Sequence, residues 1–328
     1  MSESRREERP LISVLMAVYA PRMDWLRRQL ESLETQTYPH LRLYICCDAS
    51  PAEEFAAVEA LAGECIRSFP VTVENAPENL GSNGVFAYLT ARAEGEYFAY
   101  CDQDDEWLPE KLAVLRETME RERALLVCSD MSIIDGDGNE IARSITDIRR
   151  HHVFRSGDGL WDTLWYANFA SGCALLVRAD EARRALPFNP YMYYDHYLAF
   201  CCAVRGRVIS LPDALLRHRE HGGNQSSLLR GVTDRESYYR LRVEQKRQAV
   251  TWLAEHFLEP PELAALLSEG KAWMDARSAY ARGDRFAGKT LWRSRRFGRR
   301  SAALELLLPY LPESVLRMTL TLARKNRI

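Results

Sequence analysis

The chain has 328 residues, 47 % of them hydrophobic and 27 % charged, with a formal net charge of -2. Length and apolar content allow one large α/β domain plus an accessory part, and the balanced charge excludes general nucleic-acid affinity. No apolar run reaches the ~18 residues of a bilayer span. The polar start, residues 1–10, has no signal core and reads as a disordered tail. The eight cysteines include the adjacent pairs Cys46-Cys47 and Cys201-Cys202 but no Cys-x-x-Cys. They read as small buried hydrophobes of a reducing cytoplasm, with neither zinc nor disulfides.

Leu11 to Tyr19 is apolar and β-rich, as a strand covered on both faces should be. Residues 22–34 carry Met23, Leu26, Leu30 and Leu33 at helical spacing. Leu41 to Cys47 is a second strand, ending on Asp48. Glu53 to Ile66 is helical, and Val71 to Glu74 is a third strand. Residues 78–84 lead into a helix through Ala93. Tyr97 to Cys101 is a buried strand that stops at Asp102, Asp104 and Asp105. Pro109 then opens a helix. The alternation predicts a doubly wound, mostly parallel sheet with the ends at Tyr19, Asp48 and Asp102 on one edge, where such folds bind ligands. Three packed carboxylates repel, and a divalent cation would offset that. The alternative is a solvated acidic turn.

After Glu122 the pattern changes. Leu125 to Cys128 is a short strand. Met131 to Ile134 and Ile141 to Ser144 flank a hairpin turn. The start of an EF-hand pattern there, Asp135, Asp137 and Asn139, lacks its glycine and its closing glutamate, so it is read as a turn. Gly159 to Asn168 reads as helix, Ser171 to Val177 as strand, Ala179 to Leu186 as helix and Tyr191 to Val204 as an apolar helix. Val208 to Leu211 and Ala214 to His218 are short strands. From Thr233 the pattern is helical to the end, with breaks at Pro260-Pro261, Gly283 and Pro309.

Several stretches together resemble family-2 glycosyltransferases of the GT-A fold. They are Leu-Ile-Ser-Val-Leu-Met-Ala-Val-Tyr, Asp48, Asn79-Leu80-Gly81, Cys-Asp-Gln-Asp-Asp-Glu-Trp-Leu-Pro-Glu-Lys-Leu, Ser171-Gly172-Cys173, Tyr194-Asp195-His196 and His218-Arg219-Glu220-His221-Gly222. The likeness is closest to bacterial rhamnosyltransferase-like members that build cell-surface polysaccharides. It covers residues 11–226, leaving 233–328 as a helical C-terminal region. Two positions depart from the family pattern: Ala20 stands where Asn is frequent, and Tyr194 where Glu often precedes the catalytic Asp.

The resemblance implies transfer of a sugar, rhamnose among the options, from a UDP- or dTDP-sugar to a hydroxyl of a saccharide or lipid-linked acceptor, with inversion. It implies Mg²⁺ or Mn²⁺ on Asp102, Asp104 and His221, with Asp102 also in the nucleotide site and Asp105 beside the substrate, ligating directly or through water. Asp48 would accept N3–H of uracil or thymine while Tyr19 stacks on the base; its other reading is a helix cap. Gly81 and Ser82 offer backbone N–H groups at a helix entrance, or are an ordinary turn. Gly172 would let substrate approach the backbone. His221 would ligate the metal or touch the diphosphate, or else is a surface or packing residue. Asp195 would be the catalytic base, or else a helix N-cap.

Gly283 to Thr290 fits the P-loop pattern letter for letter, but no strand precedes it, so it is rejected. Residues 277–300 hold nine basic residues and one acid with Phe286, Leu291, Trp292 and Phe297 among them. That segment is either a solvated helical face or a peripheral contact with the inner face of a membrane. Two competing functions stay open. A nucleotidyltransferase would use Arg22, Arg27 and Arg28 on a triphosphate. A non-catalytic sugar-nucleotide-binding protein would not need Asp195.

Overall fold

The computed structural model describes residues 9–149, 152–221 and 231–325. Residues 1–8, the loop from Gly222 through Asn224 and the expected boundary at 226 lie outside them. Arg9 and Pro10, expected within the tail, are held: Tyr38 Oη donates to Pro10 O at 2.6 Å, and His40 Nδ1 is 2.6 Å from Arg9 O. The chain divides into two compact units, Met1–Phe188 with Tyr193–Gly222, and Asn189–Met192 with Gly223–Ile328.

The first unit opens with β1 (Ile12–Val18), α1 (Met23–Glu34), β2 (Leu41–Cys47), α2 (Ala52–Cys65), β3 (Val71–Asn75), α3 (Gly81–Arg92) and β4 (Tyr97–Cys101). It continues with β5 (Glu106–Trp107), α4 (Lys111–Glu122), β6 (Leu126–Ile134), β7 (Glu140–Ala142), α5 (Ile145–Ile148) and α6 (Trp161–Leu164). Then come β8 (Leu175–Arg178), α7 (Ala179–Arg184), α8 (Tyr194–Arg205) and β9 (Val208–Arg219). Among the described residues the strands form one sheet in the order β3-β2-β1-β4-β8-β6-β9-β5, with β7 on β6. The first four are parallel; β8 is antiparallel to both β4 and β6. β9 runs parallel to β6 and antiparallel to β5.

Side chains alternate across a strand. Ile12, Val14, Met16 and Val18 of β1 share a core with Leu26, Leu30 and Leu33 of α1, Val58 and Leu61 of α2, and Leu112 and Leu115 of α4. On β4, Phe98 and Tyr100 alternate with the core residues Tyr97, Ala99 and Cys101, so they face the other side. Phe86 of α3 meets Tyr100 edge-on there at 5.4 Å, and Tyr194 of α8 meets Phe86 at 4.2 Å. Burial of each such side chain contributes about 1.5–3 kcal/mol, so a one-residue slip of β1 is excluded by packing alone. Parallel order brings the carboxyl ends of β1, β2 and β4 to one edge.

Five expectations change. Ser171 to Ala174 is not strand: Gly172–Ala174 is a 3₁₀ turn and β8 begins at Leu175. Leu125 to Cys128 and Met131 to Ile134 are one strand, β6, and the two pieces between 208 and 218 are also one, β9. Their mutual register shifts near Asp130 and Ala214, where Pro212 lacks the N–H for a ladder bond. The helix expected over 159–168 is only α6. Pro109 precedes α4 in a turn closed by Lys111 N–H to Leu108 O.

The second unit holds α9 (Arg235–Tyr238), a π-helical turn over Tyr239–Glu244, α10 (Gln245–His256), α11 (Pro261–Ala281), α12 (Ala287–Arg293), α13 (Arg299–Leu307) and α14 (Glu313–Lys325). Gly283 follows a helix, and no strand occurs among the described residues here, so the P-loop pattern has no scaffold. All eight cysteines are free thiols. No described helix is long and apolar enough to cross a membrane.

Candidate active site

The site is built on strand ends. Past Val18, Tyr19 is exposed and the next residue, Ala20, adopts φ +42°. Past Cys47, Asp48 is buried and Ala49 adopts φ +57°. Left-handed backbone at two alanines is uncommon, and both sit where a strand turns its last side chain toward the edge. Gln103, between the acids, clamps this corner: Tyr19 N–H donates to its Oε1 at 2.8 Å and its Nε2 donates to Tyr19 O at 3.0 Å.

Asp48 does not cap α2, whose N-cap is Pro51. It reaches across to α3, accepting Leu80 N–H at 2.6 Å and Gly81 N–H at 3.0 Å. The Gly81 N–H is therefore committed to Asp48 and not open to an anion. Gly81 has φ +67°, and Ser82 is half-buried one residue further on.

The three acids differ in surroundings. Asp102 is half-buried; loss of water, then the Asp105 and Asp104 charges, push its carboxyl up to about 8. Asp104 is also raised, by burial and by Asp105, against the hydrogen bond from His221. Its Oδ2 lies 2.8 Å from His221 Nε2, and the His221 ring packs 4.9 Å from Trp25. Asp105 is fully buried, with Oδ1 2.8 Å from His218 Nδ1 and accepting Arg219 N–H at 3.0 Å. Burial alone raises Asp105, but the His218 charge and hydrogen bond outweigh it and lower its pKa. Burial alone lowers His218, but Asp105 reverses this and lifts it to about 9.

Two donor sets follow. Asp105, Cys173 and His218 bring ligand atoms within 4.8 Å of one another. That trio is tied internally: His218 Nδ1 lies 2.8 Å from Asp105 Oδ1, and burial holds the Cys173 thiol well above its ordinary pKa. Asp104 and His221 fit a hard cation better. Adjacent ligands of an octahedral ion at about 2.1 Å stand about 3.0 Å apart, close to the 2.8 Å observed. Asp102 adds a carboxylate whose charge its neighbours oppose.

Two buried cations that the sequence reading passed over brace this loop. Arg219 donates from Nε to Asp104 O at 2.9 Å, from one terminal nitrogen to Asp135 O at 3.0 Å, and from the other to Glu106 at 2.6 Å. Lys111 lies 3.1 Å from the Trp107 ring centroid and donates to Cys173 O. Burial pulls its ammonium down to about 7, against nearby Cys173, Cys101, Asp105 and Asp102. The hairpin acids are absorbed by their own turn: Asp135 Oδ1 accepts N–H from Asp137 and Asn139 at 2.9 Å each.

Asp195 is the second residue of α8, whose N-cap is Tyr193. Its carboxylate accepts His196 N–H at 2.6 Å and Gly172 N–H at 3.0 Å, so it does not cap the Tyr197–Ala199 turn. Burial raises it to about 6 against the bonds from His196 and Gly172. Its charge in turn raises Asp102, which puts the two acids in one electrostatic neighbourhood. Gly172 is required by protein: a Cβ there would stand 2.0 Å from Tyr194 Oη. The expected approach of substrate to its backbone is filled by that hydroxyl. Arg22, Arg27 and Arg28 lie beside Asp24, Glu64 and Glu106 at 2.6, 2.8 and 3.8 Å. Three arginines already paired with acids are a poor triphosphate cradle.

Residues 13–183, more than half of the chain, match the family described as Glycosyl transferase family 2. The chain belongs to this family. It is a family-2 glycosyltransferase with a GT-A, Rossmann-like fold. An uncharacterized glycosyltransferase of Nostoc sp. is 24 % identical over 249 residues, which is 73 % of this chain and 74 % of that protein. In fold it is similar to S. aureus TarS in complex with UDP-GlcNAc (TM-score 0.57, 16 % identity, 96 % of this chain and 88 % of that one). It is also similar to the mannosyltransferase PcManGT of Pyrobaculum calidifontis in complex with GDP-Man and Mn²⁺ (TM-score 0.56, 16 % identity, 94 % and 87 %).

Proposed function

We propose that this family-2 glycosyltransferase moves a sugar, with inversion and with a divalent cation, from a UDP- or dTDP-sugar to a hydroxyl of a saccharide or lipid-linked acceptor. Cell-surface polysaccharide synthesis is the setting the sequence resemblance implies. The observation that carries the reading is Asp195: a carboxylate raised to about 6, anchored by two backbone N–H groups and electrostatically coupled to Asp102. A carboxylate offers about four lone-pair sites; the His196 and Gly172 N–H groups use two, and Asn168 is a further partner. Asp195 takes the proton of the acceptor hydroxyl as its oxygen bonds the anomeric carbon, and the bond to the diphosphate breaks on the opposite face.

Asp102, Asp104 and His221 would hold Mg²⁺ or Mn²⁺, with Asp105 fixed behind them by His218. When bound, the ion stabilises the negative charge of the departing diphosphate. Tyr19 stacks on the base. Asp48, already holding the entrance of α3, accepts base N3–H on a remaining lone pair, so Gly81 and Ser82 act through its placement. Cytosine has no N3–H and is disfavoured.

Calorimetry with UDP, dTDP, GDP and CDP, each with Mn²⁺ and with EDTA, tests this. UDP or dTDP should bind most tightly and only with metal, and Asp104→Ala should remove the metal dependence without unfolding the protein. Equal affinity with Mn²⁺ and EDTA rejects the ion. Equal affinity for CDP rejects the role of Asp48, and a preference for GDP replaces the donor class.

A further inference from the structure

The helices of the second unit leave large apolar side chains in water beside cations that have no carboxylate partner among the described residues. Phe286 is 85 % exposed, Tyr310 69 %, Leu307 60 % and Trp292 50 %. Three of these come from neighbouring backbone. The Arg285 guanidinium lies 5.1 Å from the Tyr280 ring and 5.2 Å from the Tyr310 ring. Tyr280 Oη donates to Leu306 O at 3.1 Å, and Gly288 faces both Tyr280 and Leu306. Residues 285–288 therefore adjoin 306–310, which gathers Phe286, Leu307 and Tyr310 into one area. Trp292 follows on the same short helix, α12.

The charge around them has one sign. Residues 282–296 contain six basic residues and one acid, Asp284, whose Oδ1 accepts Phe286 N–H at 2.9 Å. Arg296 pairs with Glu269, and Arg282 with Glu244 at 4.0 Å. Arg285, Lys289, Arg293 and Arg295 have no carboxylate partner among the described residues. Two members of the stretch singled out in the sequence leave this surface: Arg277 is buried against Glu305, and Leu291 is core. The side chains of Arg299 and Arg300 lie outside the described residues.

Aromatics with arginine also mark protein interfaces, but lysine and uncompensated charge are depleted from the cores of such interfaces. Aromatics mixed with Lys and Arg suit the boundary of a bilayer, where rings enter the headgroup region and cations meet anionic lipid. We propose that this surface of the second unit docks on an anionic lipid bilayer. The proposal stands independently of the donor and the catalytic base.

Co-sedimentation of the full chain with vesicles tests it, using phosphatidylcholine alone and phosphatidylcholine mixed with phosphatidylglycerol. Binding should require phosphatidylglycerol and weaken with salt. Joint Arg285→Gln, Lys289→Gln and Arg293→Gln changes should reduce affinity on the order of a hundredfold, at roughly fivefold per cation. Joint Phe286→Ser and Trp292→Ser changes should reduce it at least about tenfold. Both variants should keep their melting temperature and their rate of donor hydrolysis in solution. No binding, equal binding to both vesicles, or binding indifferent to the substitutions overturns the proposal. So does light scattering in which the same changes disperse an oligomer, which would give the surface to a second copy.

Discussion

Asp195 joins pH to two separate properties. Its carboxyl titrates near 6 in the fold against an ordinary value of 3.8. A raised carboxyl means that the folded protein holds the proton more tightly than the unfolded chain. It therefore contributes stability below about pH 4 that is lost as pH rises through 6. The base form appears only above about 6. Turnover at saturating donor should accordingly climb across pH 6 while melting temperature does not climb with it. Asp195→Asn should preserve donor affinity and fold and cut turnover by ~10²–10⁴-fold, the usual loss for a general base. Near-normal turnover in that variant would move the base to His196 or His221. The resemblance singled this residue out, but neither its proximity to the acid loop nor its anchoring was legible in the sequence. Lys111 did carry a signal, since it shares a helical stripe with Leu115 and Thr118, all buried. Arg219 carried none beyond the resemblance, because one charged residue at a strand end does not declare its partners.

At the scale of elements, the turn at Gly172 shows how tertiary contact overrides a local pattern. Ser171 to Val177 is apolar enough for a strand, and β8 indeed takes its second half. The first half curls because the Asp195 carboxylate takes the Gly172 N–H that a ladder would have used, and because Tyr194 Oη occupies the space above it. Gly172→Ala should therefore cost about 1–3 kcal/mol in urea unfolding. Adding Tyr194→Phe, which removes the nearest atom, should recover part of that. If Gly172→Ala is neutral, the close contact is not what demands glycine. β1, β2 and β4 were readable in full because strands covered on both faces are apolar throughout. β9 was read as two pieces because Pro212-Asp213 looks like an ending, whereas a bulge absorbs it within one strand.

At the scale of the whole molecule, the second unit is the part that sequence patterns described least. Its periodicity announced helices but not their internal wiring. Arg277 and Glu305, on α11 and α13, form a pair that is almost fully buried, with Arg277 Nε donating to Glu305 Oε2 at 2.8 Å and Tyr238 Oη donating to Oε1 at 3.0 Å. Removing one partner strands a buried charge, so Arg277→Met should destabilise by about 3–5 kcal/mol. Joint Arg277→Met and Glu305→Leu should restore much of it, since an apolar pair of similar volume avoids the desolvation cost. A double variant no more stable than the single would show that the ion pair itself carries the stability. The surface proposed to dock on lipid belongs to this scale as well, because it joins residues of more than one helix.

Gln103 alters how the acid motif is to be read. The backbone ladder between β1 and β4 ends at Met16 and Cys101. Beyond it a side-chain amide imitates a strand, offering Tyr19 one acceptor and one donor as a peptide unit would. The middle letter of Asp-Gln-Asp is thus a splint that lengthens the sheet by one rung, not a spacer between ligands. Glutamate there would keep the acceptor half and set a second oxygen lone pair against the Tyr19 carbonyl. The most conservative change in shape would then be the one that unfastens Tyr19 from the acid loop.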